Sequence, residues 1–190
     1  GLGDVYKRQV VKNQNTKKLA YAALFLALCL VLPMLTGQIP QIGSMLLPMH
    51  IPVLLCGLVC GWQYGAAVGF VAPLLRSVLF GMPPMYPVAI AMAFELLTYG
   101  LVIGLVYRRM VQKGAAGVYA ALLTAMVAGR LVWGVAEVVL LGLGGKAFTA
   151  QAFLVGALLN AVPGIIVQLV LIPAVMAALQ KAGAVKEYAE

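Results

Sequence analysis

The chain alternates between long apolar runs and short stretches rich in glycine, proline or charged residues. A helix that crosses the hydrocarbon core of a bilayer needs about 20 apolar residues, and the runs are close to that length. Turn residues and charges mark their ends. The pattern predicts six transmembrane helices, at approximately 19–35, 46–61, 65–80, 86–107, 118–141 and 151–179.

The composition agrees with an all-α integral membrane protein. Of the 190 residues, 64% are hydrophobic and 9% are charged, a balance that soluble domains do not show. The predicted spans use nearly the whole chain and leave no room for a soluble catalytic domain. The three cysteines lie within apolar runs and are interpreted as small buried hydrophobic residues; they are Cys29, Cys56 and Cys60.

Basic residues are distributed unevenly between the two ends of the predicted spans. They occur before the first span, between the fourth and fifth, and after the sixth, whereas the three opposite loops together hold only Lys146. Because cytoplasmic loops carry the excess of Lys and Arg, both termini are predicted to be cytoplasmic. The net charge of +8 is therefore explained by membrane topology, and nucleic-acid binding is not expected.

The chain divides into four segments. Residues 1–9 resemble an in-frame translation of a sequencing adapter, no initiator Met precedes them, and they are interpreted as an artefact without function. Residues 10–18 form a predicted cytoplasmic N-terminal segment. The transmembrane domain is predicted at 19–180 and a cytoplasmic tail at 181–190.

Four charged side chains lie inside the predicted spans. They are Arg76, Glu95, Arg130 and Glu137. A charge at the bilayer centre costs about 2.5–3.5 kcal/mol even on lenient scales, so such residues usually face a polar cavity or one another. The predicted topology puts them, with His50 and Asn160, in the outer half of the membrane. This arrangement predicts a pocket that opens outward and is closed on the cytoplasmic side.

Helical spacing groups some of these side chains. Arg130, Trp133 and Glu137 share one helical face, and Tyr99 lies one turn after Glu95. One interpretation is a ligand-binding wall with a cation, an aromatic ring and an anion. The alternative is a set of structural salt bridges between helices. If all four charges pair, a neutral or zwitterionic ligand is expected; if an arginine stays free, a carboxylate fits.

No catalytic or metal-binding motif accompanies these residues. His50 has no Cys, Asp or Glu at metal-ligand spacing, and no nucleophile–base motif or P-loop occurs. No cofactor is expected, and the chain is not expected to be an enzyme or to hydrolyse ATP. An outward pocket without an energy source requires a partner that supplies one.

Three stretches carry a resemblance to a known family. Residues 49–69, MHIPVLLCGLVCGWQYGAAVG, are followed by PLLR at 73–76 and GMPP at 81–84. These stretches resemble the substrate-binding (S) components of energy-coupling factor (ECF) transporters, over about residues 17–182. The resemblance implies a six-helix S-component bundle that binds a vitamin or vitamin precursor from outside the cell.

The resemblance also implies partner proteins and a cellular location. A transmembrane coupling (T) protein and two cytoplasmic ATPase subunits would drive release in a bacterial cell membrane. The small-residue motif of helix one contacts the coupling protein in that family, and this role falls here on Ala23 and Ala27. Two intramembrane arginines favour a small carboxylate such as pantothenate, with other vitamins open. A structural membrane subunit and a small membrane-embedded enzyme remain the alternatives.

Overall fold

The computed structural model describes residues 2–36 and 46–183, without the side chains of residues 2–6, Thr36 and Leu158. The described residues form helices joined by short turns. In lipid only a helix or a closed barrel satisfies the backbone polar groups, which is why apolar runs of this length become helices. The α-helices are α1 Leu2–Val31, α2 His50–Val59, α3 Trp62–Phe80, α4 Ile90–Met110, α5 Ala115–Leu143, α6 Ala150–Leu154 and α7 Val162–Lys181.

Within residues 2–36 and 46–183, five helical segments are long and apolar enough to cross a membrane. The second predicted span is shorter than expected, because α2 has only 10 residues and a rise of about 15 Å. The connection predicted at Trp62–Tyr64 was also misplaced. The chain turns at Gly61, whose φ of +97° favours glycine, and Trp62 already begins α3. The predicted loop around Gln38 lies outside the described residues.

The fourth and sixth predicted spans are broken near their N-terminal ends. A π-helical turn, Met85–Ala89, precedes α4 and contains the non-helical residue Tyr86. A second π-helical turn, Val155–Leu159, separates α6 from α7. Pro73 and Pro173, by contrast, lie inside continuous helices.

Helix α4 is the centre of the bundle. It packs against α2, α3 and α5, while α1 covers α2 and α3, and α7 covers α5 and α2. Glycines allow the close approach: a Cβ on Gly65 would lie 2.6 Å from the Cα of Gly57 and 2.9 Å from the carbonyl oxygen of Gly100. These contacts leave no room for side chains, as in small-residue seams of other membrane helices.

Candidate functional site

The carboxylate of Glu95 is the centre of a buried polar cluster. Its Oε1 accepts a hydrogen bond from Arg130 Nη1 at 3.0 Å and lies 3.3 Å from His50 Nε2. Because a carboxylate only accepts hydrogen bonds, Nε2 of His50 is the donor in this contact. Glu95 and His50 are each 1% exposed. The ion pair therefore joins α4 to α5, with the first residue of α2 as a third member.

Close packing of α4 on α5 positions this pair. The ring of Tyr99 lies against Gly129, where an added Cβ would be 2.5 Å from Cδ2. The same ring meets His50 edge-on, with centroids 5.1 Å apart. Tyr99 is one turn after Glu95 and Gly129 precedes Arg130, so this contact fixes the register in which the charges meet. The phenol ring thus contacts the cluster through His50.

An aromatic group covers the other side of Arg130. The guanidinium carbon lies 5.9 Å from the ring centroid of Trp133, within the range of a cation–π contact. Trp133 stacks on Phe153 at 6.1 Å and meets Phe148 edge-on at 5.7 Å. Thr149 caps the short helix α6 by accepting a hydrogen bond from Ala152 N at 3.1 Å, and this cap holds Phe153 over the tryptophan.

Several buried polar atoms in the described part of the chain have no hydrogen-bond partner. They are His50 Nδ1, Arg130 Nε and Nη2, and both side-chain amide atoms of Gln168. Leaving a buried donor or acceptor unpaired costs about 1–3 kcal/mol. Three of these five atoms belong to His50 and Arg130 of the cluster, and a purely structural cluster would be expected to pair them. The cluster therefore has capacity for hydrogen bonds that the described protein atoms do not use.

Gln168 was missed by the sequence analysis. It is fully buried in α7, and the only signal in the sequence is one amide within the apolar run 161–179. The position of Gln168 along the bundle can be compared with that of Glu95 through one contact between their helices. Near the C-terminal ends of α7 and α4, Gln180 Nε2 donates a hydrogen bond to Tyr107 OH at 3.4 Å. Gln168 and Glu95 each precede this contact by twelve residues, or about 18 Å of helix. Gln168 and Glu95 therefore lie in the same layer.

The structure does not bring every predicted site residue into this cluster. Arg76 is buried, donates to the carbonyl oxygen of Leu30 and lies 5.2 Å from the ring centroid of Phe80. Glu137 is 7% exposed, and its carboxylate makes no hydrogen bond or ion pair with the described residues. Asn160 is exposed at the turn before α7. The cluster thus contains His50, Glu95, Tyr99, Arg130 and Trp133 from the predicted set.

Two further features lie outside the cluster, a hydrogen bond before α4 and a cavity beside α1. Tyr86 OH donates to the carbonyl oxygen of Leu140 and ties the turn before α4 to the end of α5. A cavity beside α1 is lined by Lys12, Asn15 and Tyr64 and also by Lys7 and Arg8. Lys7 and Arg8 fall within the segment predicted to be an artefact, and we assign no site there.

A family model described as "ECF transporter, substrate-specific component" matches residues 17–176. The chain belongs to this family. No curated protein and no solved structure matches it. The match covers the cluster and all the helices that build it, and the expected family is confirmed together with its all-α membrane fold.

Membership establishes the general role of this S component. It is a multi-pass membrane protein and the substrate-specific subunit of an ECF transporter. Such a subunit binds a small-molecule substrate and works with T and ATPase components. The family is one of transporter subunits and not of enzymes, which argues against the membrane-embedded enzyme.

Proposed function

We propose that this S component binds a vitamin or vitamin precursor with high affinity from the outside of a bacterial cell. A coupling protein and two cytoplasmic ATPase subunits then drive its release inward, and both termini are cytoplasmic. The observation that supports this most is the polar layer of Glu95, Arg130 and His50. Family membership gives the protein a substrate, and this layer holds the buried polar atoms that a substrate could use.

The unpaired atoms favour binding over a structural role. If the charges only locked the helices together, the Arg130 guanidinium and the His50 ring would be expected to be fully hydrogen-bonded. Instead, the Arg130 guanidinium and the His50 ring both keep buried polar atoms without a hydrogen-bond partner. The side-chain amide of Gln168, in the same layer, also has no hydrogen-bond partner. These atoms are shielded from solvent, so a ligand reaches them only when the covering side chains move aside.

The proposed binding wall consists of His50, Glu95, Tyr99, Arg130 and Trp133. The predicted roles of three further residues stay open to test, and these are Arg76, Glu137 and Asn160. Glu137 lies one turn from Trp133 on the same face of α5 and has no ion pair among the described residues. Pantothenate is the first vitamin to test, because the unpaired Nε and Nη2 of Arg130 suit a small carboxylate.

The face of α1 that points away from the bundle supports the proposed contact with the coupling protein. Ala23 and Ala27 are exposed, whereas Ala22 and Phe25 are buried against the bundle. Small residues on an unpacked helical face allow another helix to approach closely. We propose that this face is where the coupling protein docks.

A vitamin panel tests the proposed function. The purified protein in detergent is heated with and without pantothenate, pyridoxine, thiamine, riboflavin, nicotinate or folate, and the unfolding temperature is recorded. One vitamin should raise that temperature at micromolar concentration. Arg130→Met should lose the shift, whereas the matched control Arg108→Met, at the exposed end of α4, should keep it.

Two outcomes would contradict the proposal. If no vitamin stabilises the protein, and mass spectrometry detects no small molecule retained from rich medium, the high-affinity binding is wrong. Stabilisation that is equal in Arg130→Met and in the unsubstituted protein would instead show that the ligand binds away from the cluster.

A further inference from the structure

We infer that the ligand presents a carboxylate to the free edge of Arg130 and an amide to Gln168, and that Gln168 is a binding residue. This inference rests on the proposed function and narrows its ligand to molecules in which a carboxylate and an amide are joined by a short chain. It adds a residue that neither the spacing of charges nor the family match identified.

The free atoms of Arg130 form a complete binding edge. A guanidinium has an end, where Nη1 and Nη2 point forward, and a side, where Nε and Nη2 donate in parallel. Glu95 occupies only Nη1, while Nε and Nη2 are both buried and unpaired. Two parallel N–H groups match the two oxygens of a carboxylate. Arg130 can thus bridge Glu95 and a ligand carboxylate at the same time.

Gln168 supplies a different recognition chemistry from the same layer. Its side chain is fully buried, and both its oxygen and its nitrogen lack partners. A primary amide offers one acceptor and two donors, so its natural complement is another amide, which needs one of each. Helix α7 packs against α5, which carries Arg130, and against α2, which begins at His50. The three residues with unpaired atoms thus lie on α7 and on the two helices against which α7 packs.

His50 contributes a single hydrogen-bond acceptor to the proposed site. Its Nε2 donates to Glu95, so in the neutral ring Nδ1 is an acceptor. This nitrogen is buried without a partner and suits a hydroxyl or N–H group of the ligand. The layer therefore offers a bidentate donor, an amide and a single acceptor, all away from solvent.

The first test identifies the chemistry of the ligand. The unsubstituted protein is purified from cells grown in rich medium, and the retained molecule is released and analysed by mass spectrometry before and after methyl esterification. One carboxyl group should be detected by its mass shift. A retained vitamin without a carboxyl group would overturn this inference and leave the proposed function standing, whereas the absence of any retained molecule would contradict both.

A matched ligand pair sharpens this result. Pantothenate and panthenol differ only in that a hydroxymethyl group replaces the carboxylate, and both keep the amide and the hydroxyls. If the retained molecule is pantothenate, titration calorimetry should show at least 100-fold weaker binding of panthenol. Equal affinity would refute the carboxylate contact at Arg130.

The second test separates a binding role of Gln168 from a structural one. Gln168→Leu keeps the approximate volume and removes the unpaired amide, so the ligand-free protein should be as heat-stable as the unsubstituted one or more so. Binding of the retained molecule should weaken at least tenfold. The control Gln180→Leu, on the same helix at the Tyr107 contact, should leave affinity unchanged. Loss of stability with unchanged affinity in Gln168→Leu would refute its role in binding.

The third test concerns the shape of the arginine. Arg130→Lys retains a positive charge that can pair with Glu95 but lacks the two parallel donors. Binding should fall at least tenfold, whereas Arg108→Lys should bind normally. If Arg130→Lys binds like the unsubstituted protein, charge alone is sufficient and the bidentate contact is wrong.

Discussion

Substitution of Arg130 by methionine isolates the contribution of one buried charge. Methionine keeps an unbranched apolar stem but removes the guanidinium, so Glu95 would retain only the His50 contact at 3.3 Å. At the observed 3.0 Å between Arg130 Nη1 and Glu95 Oε1, two unit charges interact by about 5–6 kcal/mol at an effective dielectric constant of about 20. Part of this is offset because the charges must first be desolvated.

We therefore expect Arg130→Met to weaken ligand binding by about 2–5 kcal/mol, the range for truncating one partner of a buried charge pair. This corresponds to a rise in Kd of about 30- to 4,000-fold. Titration calorimetry of the purified protein measures it. Arg108→Met is the control, because Arg108 lies exposed at the C-terminal end of α4 and its substitution should not change Kd.

A second substitution distinguishes a binding contact from a structural pair. Arg130→Met alone leaves a buried carboxylate without its cation and should lower the unfolding temperature. Adding Glu95→Gln removes that uncompensated charge and should recover part of the loss, whereas ligand binding should not recover. The reasoning is refuted if Kd is unchanged in Arg130→Met, or if the double variant unfolds at the temperature expected from adding the two single effects.

Three further predictions concern topology, docking and packing. In intact cells an impermeant thiol reagent should label Gln38→Cys but not Lys113→Cys, and the reverse pattern would invert the predicted orientation. Ala23→Trp and Ala27→Trp should leave ligand affinity intact in the purified protein but abolish uptake in cells, because bulk there blocks close helix approach; normal uptake by both variants would show that the coupling protein docks elsewhere. Gly65→Ala should lower stability by about 1–3 kcal/mol, measured as a lower unfolding temperature, since its methyl group would meet the backbone of neighbouring helices; an unchanged temperature would contradict that packing.

The sequence by itself determined the class of the protein and most of its helices. Backbone hydrogen bonding in lipid is satisfied within each helix, so the length of an apolar run predicts a span from local information. The third span was predicted to end at Phe80, where α3 ends. Residues 49–84 also carried the family resemblance. Helix ends were less predictable where tertiary packing decides them, as in α2 and in the broken segment before α7.

Only the tertiary structure decided which polar residues meet. Helical periodicity grouped Arg130 with Glu137 on one face of α5, yet Arg130 pairs with Glu95 on α4. Arg76, which the sequence placed with the same charges, is hydrogen-bonded to the backbone of α1 instead. Gln168 was not predicted as a site residue, because it is a single amide within an apolar run. Partners across helices depend on the rotation and relative depth of each helix, and these are set by glycine contacts such as that of Gly129 with Tyr99, which no single apolar run encodes.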